Sequence, residues 1–302
     1  GTVLLFASLV VAMSLYQATV VPDKNNEVEF RHNQEVKGEL LDLRNAVVRT
    51  GATGTGQPVS VTLGTRYPRR ALFVNPPPSA GALRTTPARA VTVSNVTALS
   101  NETADYWNGT ERSFLTRGLR YEPNYHEYSD APVTAYENTV VYDRFDSAAV
   151  VATDQSLVRG RRITLLALNG SLSRSETGTV GLDPHAVSPS TTATRTVSVR
   201  ATRGDDLTVR VPTGLSESEW EDLLEGQRAS DGGYVKNVSV DGGVLTLTLR
   251  GSDDGDPVTY DLRMAKVSLG TADAEAEATY VTDVRGHGSV RVGESTTLVA
   301  EV

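Results

Sequence analysis

The residues that could carry chemistry are few, and they match no catalytic motif. The four histidines are too scattered to supply metal ligands at the usual spacing; they are His32, His126, His185 and His287. No G-x-S-x-G, P-loop or H-E-x-x-H sequence occurs. The chain has no cysteine, which excludes disulfides, thiolate metal sites and cysteine nucleophiles. We therefore predict no catalytic residue, no metal site and no cofactor, although Ser, His and Asp side chains could still converge in the fold.

Clustered aspartates are the remaining candidates for cation binding. Asp253-Asp254-Gly255-Asp256 resembles part of a calcium loop but lacks the glutamate that should follow it. Asp205-Asp206 and Asp241 fall in predicted hairpin turns, where aspartate is favoured by turn geometry alone. Solvated turns are the main interpretation, with adventitious cation binding as the alternative.

Five asparagines could accept covalent sugar, because each stands in an N-x-S/T sequence. They are Asn95, Asn101, Asn108, Asn169 and Asn237. Such sequons mark surface loops of exported chains. Their number predicts N-linked glycans on an extracellular domain.

Composition limits the class of protein that presents these residues. The 302 residues suffice for a substantial core, and few aromatics beside abundant glycine favour β structure with many turns. The net charge is −8, with 37 acidic residues against 29 basic ones, of which only Lys24, Lys37, Lys236 and Lys266 are lysine. An acidic, lysine-poor balance is typical of salt-loving archaea, although a high-GC genome also favours arginine. Without a basic stripe, nucleic acid is not an expected partner.

The chain opens on an apolar stretch with no charge between Gly1 and Val21. As a helix, Val3–Val21 would span about 28 Å, close to the thickness of a bilayer core. No face of this helix is polar before Gln17, so the buried helix of a soluble protein is a poor explanation. A secretory signal peptide would show a basic region and a small-residue cleavage site, and neither is evident.

A second, polar half continues this helix from Glu27 to Val48. Val36, Leu40, Leu43 and Val47 recur at helical spacing and predict a stripe that packs against the rest of the protein. Pro22 should kink the helix between its two environments. Gly51 and Gly54 should end it.

The fold class predicted is α+β, mainly β: a long N-terminal helix and an antiparallel, sandwich-like head with one short helix near 216–226. The helix occupies residues 1–49, the head 50–270, and a linker with the start of an immunoglobulin-like repeat or donated strand 271–302. Ser216 and Glu219 form a capping box for the short helix.

Period-two alternation and turn residues predict the strands of the head. Predicted single strands are 58–64, 70–74, 90–99, 162–172 and 258–269, and strands also fall within 134–151. Predicted hairpins are 194–211, turning at 203–205, and 234–250, turning at 241–243. A Ser/Thr/Pro-rich loop covers 182–193. The aromatic-rich stretch 105–126, with Tyr128 nearby, is interpreted as core and loop packing, with a sugar-binding or subunit-contact surface as the alternative.

The first residues, Gly1-Thr2-Val3-Leu4-Leu5-Phe6 and the apolar helix after them, resemble the N-terminus of archaeal type IV pilins and archaellin-like subunits. The resemblance covers about 50 residues, and Leu5 stands where bacterial pilins have glutamate. It implies cleavage by a prepilin peptidase before the helix, a membrane-inserted precursor, and helices that pack as the core of an extracellular filament.

Resemblance and residue pattern together predict a structural filament subunit, not an enzyme. Its partners would be itself as a helical homopolymer, the membrane before assembly, N-linked glycans and a surface or cell ligand for adhesion; its location would be the cell surface. The predicted polymerisation residues are Val3, Leu4, Leu5, Phe6, Leu9, Val10, Val11, Met13, Leu15, Val20 and Val21. The alternatives are a single-span membrane-anchored binding protein and an anchored enzyme.

Overall fold

One helical stretch of 52 residues, Thr2–Thr53, leads into a β-rich head. The computed structural model describes residues 1–187, 195–202 and 205–269, with the backbone of 283–285 and 299–301. The helical stretch comprises α1 (Thr2–Leu15), a π-helical segment (Tyr16–Val20) and α2 (Val21–Thr53). Its length is about 78 Å at the usual rise per residue.

Gly54, one of the two glycines predicted to end the helix, follows its last residue, Thr53, which lies four residues beyond Arg49. Gly54 takes a left-handed conformation with φ of 75°, and its N–H bonds to the carbonyl of Thr50. A residue without a Cβ adopts this geometry at least cost. Gly51 instead lies inside the helix, pressed against Leu166 and Ala265 of the head.

Three sheets form most of the described head, and strands are numbered in chain order. Sheet I runs in the order β12 (Ser173–Glu176), β2 (Ala80–Thr85), β6 (Leu119–Asn124), β7 (Val133–Glu137), β8 (Val140–Arg144), β9 (Ala149–Val151). Sheet II runs β17 (Val235–Asp241), β18 (Val244–Leu249), β16 (Leu207–Pro212), β3 (Arg89–Ser94), β5 (Arg112–Thr116). Sheet III runs β10 (Val158–Arg159), β11 (Arg162–Asn169), β21 (Thr259–Ser268), β15 (Arg195–Ala201), β4 (Val96–Ala98), with β14 (His185–Ala186) also on β21.

Smaller elements complete the described parts. Three two-stranded pairs are β1 (Val59–Thr62) with β13 (Thr179–Leu182), β19 (Ser252–Asp253) with β20 (Asp256–Pro257), and β22 (Asp283–Arg285) with β23 (Val299–Glu301). Short helices are α3 (Asn101–Ala104), α4 (Glu217–Leu223) and a 3-10 turn at Ala229–Asp231.

Two hydrophobic cores hold the helix and the sheets together. The larger core lies between the apolar faces of sheets II and III and includes Trp220 of α4. The second core joins α2 to β1, β13 and sheet I, and it contains the predicted stripe Val36, Leu40, Leu43 and Val47. All four stripe residues are buried, so this prediction is confirmed.

The predicted fold class is confirmed: a long N-terminal helix precedes a mostly antiparallel β head with a short helix. Helix α4 begins at the predicted capping box of Ser216 and Glu219. The hairpin of β17 and β18 turns at Gly242 and Gly243, both with positive φ. Among the strand pairs that the structure describes, β11 and β21 depart from the antiparallel pattern and run parallel over eight residue pairs.

Three strand predictions are wrong. Residues 70–74 form an irregular loop, because their apolar side chains do not alternate and three prolines follow them. The run 90–99 is two strands, β3 and β4, broken at Asn95, whose φ of 62° turns the chain from sheet II into sheet III. Strands β15 and β16 do not form a hairpin, since they too belong to different sheets.

Other predictions fall on residues outside the described ranges. They are the turn at 203–204, the second half of the predicted loop (residues 188–193), and the linker and repeat over 271–302. Within 271–302 the structure describes β22 and β23.

Candidate functional site

The N-terminal part of the helical stretch, α1, packs no buried side chain against the head. No residue of α1 is buried, and its large exposed apolar side chains range from 82% exposed at Val3 to 46% exposed at Val10. The stretch is long and apolar enough to cross a membrane, and its most apolar window is 0% buried. This stretch is therefore a candidate membrane-anchoring helix.

Most of the predicted polymerisation residues lie on this exposed surface. Met13 and Val20 are half-buried, and the remaining residues up to Leu15 are exposed. Val21 is a correction: it is only 2% exposed, because it begins the part of the helix that packs on the head. It is therefore not available to a neighbouring subunit or to lipid.

The backbone between the two halves departs from regular α-helix just before Pro22. Tyr16–Val20 are π-helical, and the N–H of Val21 bonds to the carbonyl of Tyr16, five residues back. Proline has no N–H, and its ring crowds the carbonyl four residues earlier, which favours such a wide turn. A wide, π-helical turn therefore comes directly before Pro22, where the sequence predicts a kink.

A loop of the head, residues 66–78, touches the helix at this wide turn; we call it the junction loop. The side-chain amide of Gln17 binds the backbone of Val74 twice, donating to its carbonyl at 2.9 Å and accepting from its N–H at 3.1 Å. The rings of Tyr16 and Phe73 pack with centroids 4.5 Å apart. The loop is therefore held at the level of residues 16–17 of the helix.

Above the junction, a buried carboxylate fastens α2 to the loop after β6. Glu29 is fully buried and accepts backbone N–H bonds from His126, Glu127 and Tyr128 at 2.7–2.8 Å. The hydroxyls of Tyr67 and Ser79 also donate to it. Successive N–H groups that converge on one anion form a nest, and here the anion belongs to the helix.

The donors around Glu29 decide its protonation state. Burial by itself would raise the pKa of Glu29, but the bonds from Tyr67 and the three backbone N–H groups outweigh it and lower that pKa. The carboxylate is therefore ionised at neutral pH. Burial together with this negative charge raises the pKa of Tyr67, which keeps the phenol protonated as a donor.

More buried polar groups continue the same face of α2. Nδ1 of His32 lies 2.7 Å from the hydroxyl of Tyr125, and burial lowers the pKa of His32, so the ring is neutral. Asn25 accepts from Arg70 of the junction loop at 3.0 Å. Hydropathy patterns cannot reveal these positions; only their helical spacing with Val36 and Leu40 places them on the buried side.

An ion pair attaches the next turn of α2 to sheet I. Lys37 Nζ lies 2.7 Å from Asp143 Oδ2, and the Asp143 side chain is only 6% exposed. The hydroxyl of Thr134 donates to the second oxygen of Asp143 at 2.8 Å. Helix and head are thus joined by an apolar stripe with charged contacts at its N-terminal end.

The five sequons differ in what their side chains do. Asn101, Asn108 and Asn237 are exposed. Asn95 is half-buried, and its amide donates to the carbonyl of Asp206 at 2.7 Å. Asn169 is half-buried at the end of β11, paired with Ser268.

Most of the aromatic-rich region packs inside the protein. Trp107 and Tyr121 are buried, Phe114 lies against the larger core, and Tyr125 and Tyr128 stack beside α2. The packing interpretation accounts for these rings without a sugar-binding surface.

In the described residues, no group of three or more His, Cys, Asp or Glu side chains converges as metal ligands would. Asp253 and Asp256 pair β19 with β20 around a turn with positive φ at Asp254 and Gly255. Asp206 is paired with Lys236 at 2.6 Å. These aspartates have structural partners.

Comparison with known proteins gives one sequence relative. An uncharacterized protein of Archaeoglobus fulgidus is 25% identical over 177 residues, which is 59% of this chain and 30% of the relative. The match thus covers less than a third of the relative's length. No family model matches the chain, and no solved structure matches it.

Proposed function

We propose that this chain is the structural subunit of an extracellular type IV pilus-like filament, which polymerises through its N-terminal helix. One observation carries the proposal: a single continuous helical stretch is apolar with no buried residue over α1 and packs one face on a β head over α2. In such a helix, α1 is free to assemble with other chains, and α2 carries the head.

The size of the exposed surface requires a partner. Eight Leu, Val and Phe side chains of α1 are between 46% and 82% exposed. Covering them would be worth on the order of 10 kcal/mol at 1.5–3 kcal/mol for each fully buried side chain. That is comparable to the whole stability of a typical domain, so the segment will be covered by lipid or by copies of itself.

Polymerisation uses this surface without further contacts. Apolar helices that pack side by side bury every face, and the hydrophobic effect drives their association. One heterologous contact that repeats without closing builds an open fibre. The heads would then form the outer layer, carry the glycans and mediate adhesion, and the acidic surface would suit a salt-rich exterior. The role is assembly and not catalysis.

A membrane-anchored surface protein is the second candidate, favoured by the length of the same segment. The roughly 28 Å of exposed helix matches a bilayer core, and one span suffices to hold the head at the cell surface. In the filament proposal this anchored state is the precursor.

The test compares two aspartate substitutions at exposed apolar positions. Leu9→Asp places a charge in the proposed filament core, whereas Leu115→Asp alters β5 of the head, where Leu115 is 53% exposed. Material shed from cells that express each variant is examined by electron microscopy and mass spectrometry. We expect fibres of this chain from the wild type and from Leu115→Asp, and none from Leu9→Asp. Normal fibres from Leu9→Asp would refute the proposal, and wild-type chain found only as membrane monomers would favour the anchor.

A further inference from the structure

The junction loop exposes apolar side chains beside the apolar helix. Leu72 is 73% exposed and Val74 is 78% exposed, although the loop itself is fixed by the two hydrogen bonds from Gln17. Phe73, between them, is turned onto Tyr16. The apolar surface of the helix therefore continues onto this loop.

The charges around the loop are arranged as at a membrane boundary. Residues 71–78 are uncharged, while Arg66 and Arg69 just before them are exposed. Apolar residues flanked by arginine are typical of segments that lie in the interface, with the apolar part among acyl chains and the cations near lipid phosphates.

The height of the loop along the helix agrees with that boundary. Gln17 lies six residues before Asp23, the first charged side chain of the helix, which is about 9 Å at 1.5 Å per residue. With the charge of Asp23 in the headgroup region, residue 17 lies near the outer edge of the hydrocarbon. Val74 is bonded to Gln17 at that depth, and Leu72 lies two residues before it in the same loop.

We propose that the junction loop is a second membrane-contacting element, which inserts Leu72 and Val74 into the headgroup–acyl boundary of the leaflet nearest the head. Lipid is the occupant that we infer for this surface, because the loop is fixed beside the segment that a membrane would cover and its exposed arginines complement anionic headgroups. Together, the helix and the loop attach the head to the membrane at two points and so fix its orientation. The inference needs the helix to be inserted in a membrane but does not depend on filament formation.

The absence of cysteine allows a clean test with single thiol labels on the full chain. Leu72→Cys, Leu9→Cys and Val150→Cys each receive an environment-sensitive fluorophore and are reconstituted in vesicles of phosphatidylcholine and phosphatidylglycerol. Val150 is the matched control, since it is 52% exposed and pairs with Asp143, which binds Lys37. Lys37 lies about 30 Å further along the helix than Gln17.

Lipids that carry a spin label at a known depth then quench each fluorophore according to its depth in the bilayer. We expect the label at 72 to be quenched by lipids that carry the spin near the headgroup, the label at 9 by lipids that carry it deep in the chain, and the label at 150 by neither. Gln17→Met, which removes both bonds to Val74, should reduce quenching at 72 and leave quenching at 9 unchanged.

Two results would overturn the inference. A label at 72 that stays in water while the label at 9 is quenched would show that the loop does not contact lipid. A label at 72 that is shielded only when chains assemble would assign the surface to contacts between copies. If the label at 9 also stays in water, both this inference and the membrane-inserted precursor fail, whereas absent filaments alone leave the inference standing.

Discussion

Removal of the carboxylate of Glu29 should detach α2 from the loop after β6. In Glu29→Ala, three backbone N–H groups lose their acceptor, at about 1–3 kcal/mol for each buried donor left unpaired. We expect a loss near the lower end of the sum, about 3–4 kcal/mol, because water can enter the space that the side chain leaves.

Glu29→Gln should cost less, for a geometric reason. The hydroxyls of Tyr67 and Ser79 can turn and accept from the new amide group, but the N–H of His126 bonds to the same carboxylate oxygen and cannot. One orphaned donor and the loss of charge-assisted bonds give an expected cost of about 2 kcal/mol.

Chemical unfolding of the full chain in detergent measures these costs, and hydrogen exchange locates them. Exchange of the amides of residues 126–128 should accelerate in both variants. Glu27→Gln is the control, since Glu27 lies half a turn away with an exposed side chain paired only with Lys24. The reasoning is refuted if Glu29→Gln unfolds like Glu27→Gln and those amides stay protected.

The same residue makes stability depend on acid. The pKa of Glu29 is lower in the fold than in the unfolded chain, so its contribution is complete above about pH 5 and is lost as the pH falls through the lowered value. His32 acts in the same direction, because a ring held neutral with a lowered pKa must be protonated as the chain unfolds in acid. Glu29→Gln should therefore flatten the acid limb of a stability–pH curve.

Three further changes test other contacts of the head. Leu40→Ala removes a side chain that is 1% exposed in the helix–head core and should cost about 2–5 kcal/mol in the free energy of unfolding, measured by denaturant titration. Lys37→Met leaves the carboxylate of Asp143 buried without its cation and should cost about 3 kcal/mol, measured in the same way. In glycopeptide mass spectra of native protein, the exposed Asn237 should carry glycan, whereas Asn95 should not, because it is half-buried and its amide binds the carbonyl of Asp206.

Each of these changes has a control or a contradicting result. Gln34→Ala, on the exposed side of α2, and Lys24→Met, in an exposed ion pair, should each change stability by less than about 0.5 kcal/mol. Costs as small as these for Leu40→Ala or Lys37→Met would contradict the packing described. Glycan on Asn95 would mean that the corner between sheets II and III opens before the fold closes.

The long helix and its apolar stripe could be read from sequence because they depend on local spacing. Val36, Leu40, Leu43 and Val47 repeat at the helical period, and a helix that is apolar on all sides has few explanations. The hairpin of β17 and β18 was equally local, since Gly242 and Gly243 specify its turn.

The remaining features depend on contacts distant in sequence. The alternation at 90–99 changes phase at Asn95, from Val91 and Val93 to Val96 and Ala98. That change marks an interruption, but it cannot show that the two halves belong to different sheets. The burial of Glu29 depends on N–H groups about 100 residues away, and a charged residue gives no sign of burial. The two parallel strands β11 and β21 likewise meet only through the tertiary fold.

The central place of β21 sets the timing of folding during synthesis. This strand pairs with β11 on one side and β15 on the other, and its end supplies Val267 to the core under α2. It is made about 200 residues after the helix ends at Thr53. At 5 to 20 residues per second, roughly 10–40 s pass before that core can close. During this interval the apolar stripe of α2 is only partly covered, so a membrane surface or a chaperone would shield its open side until β21 arrives.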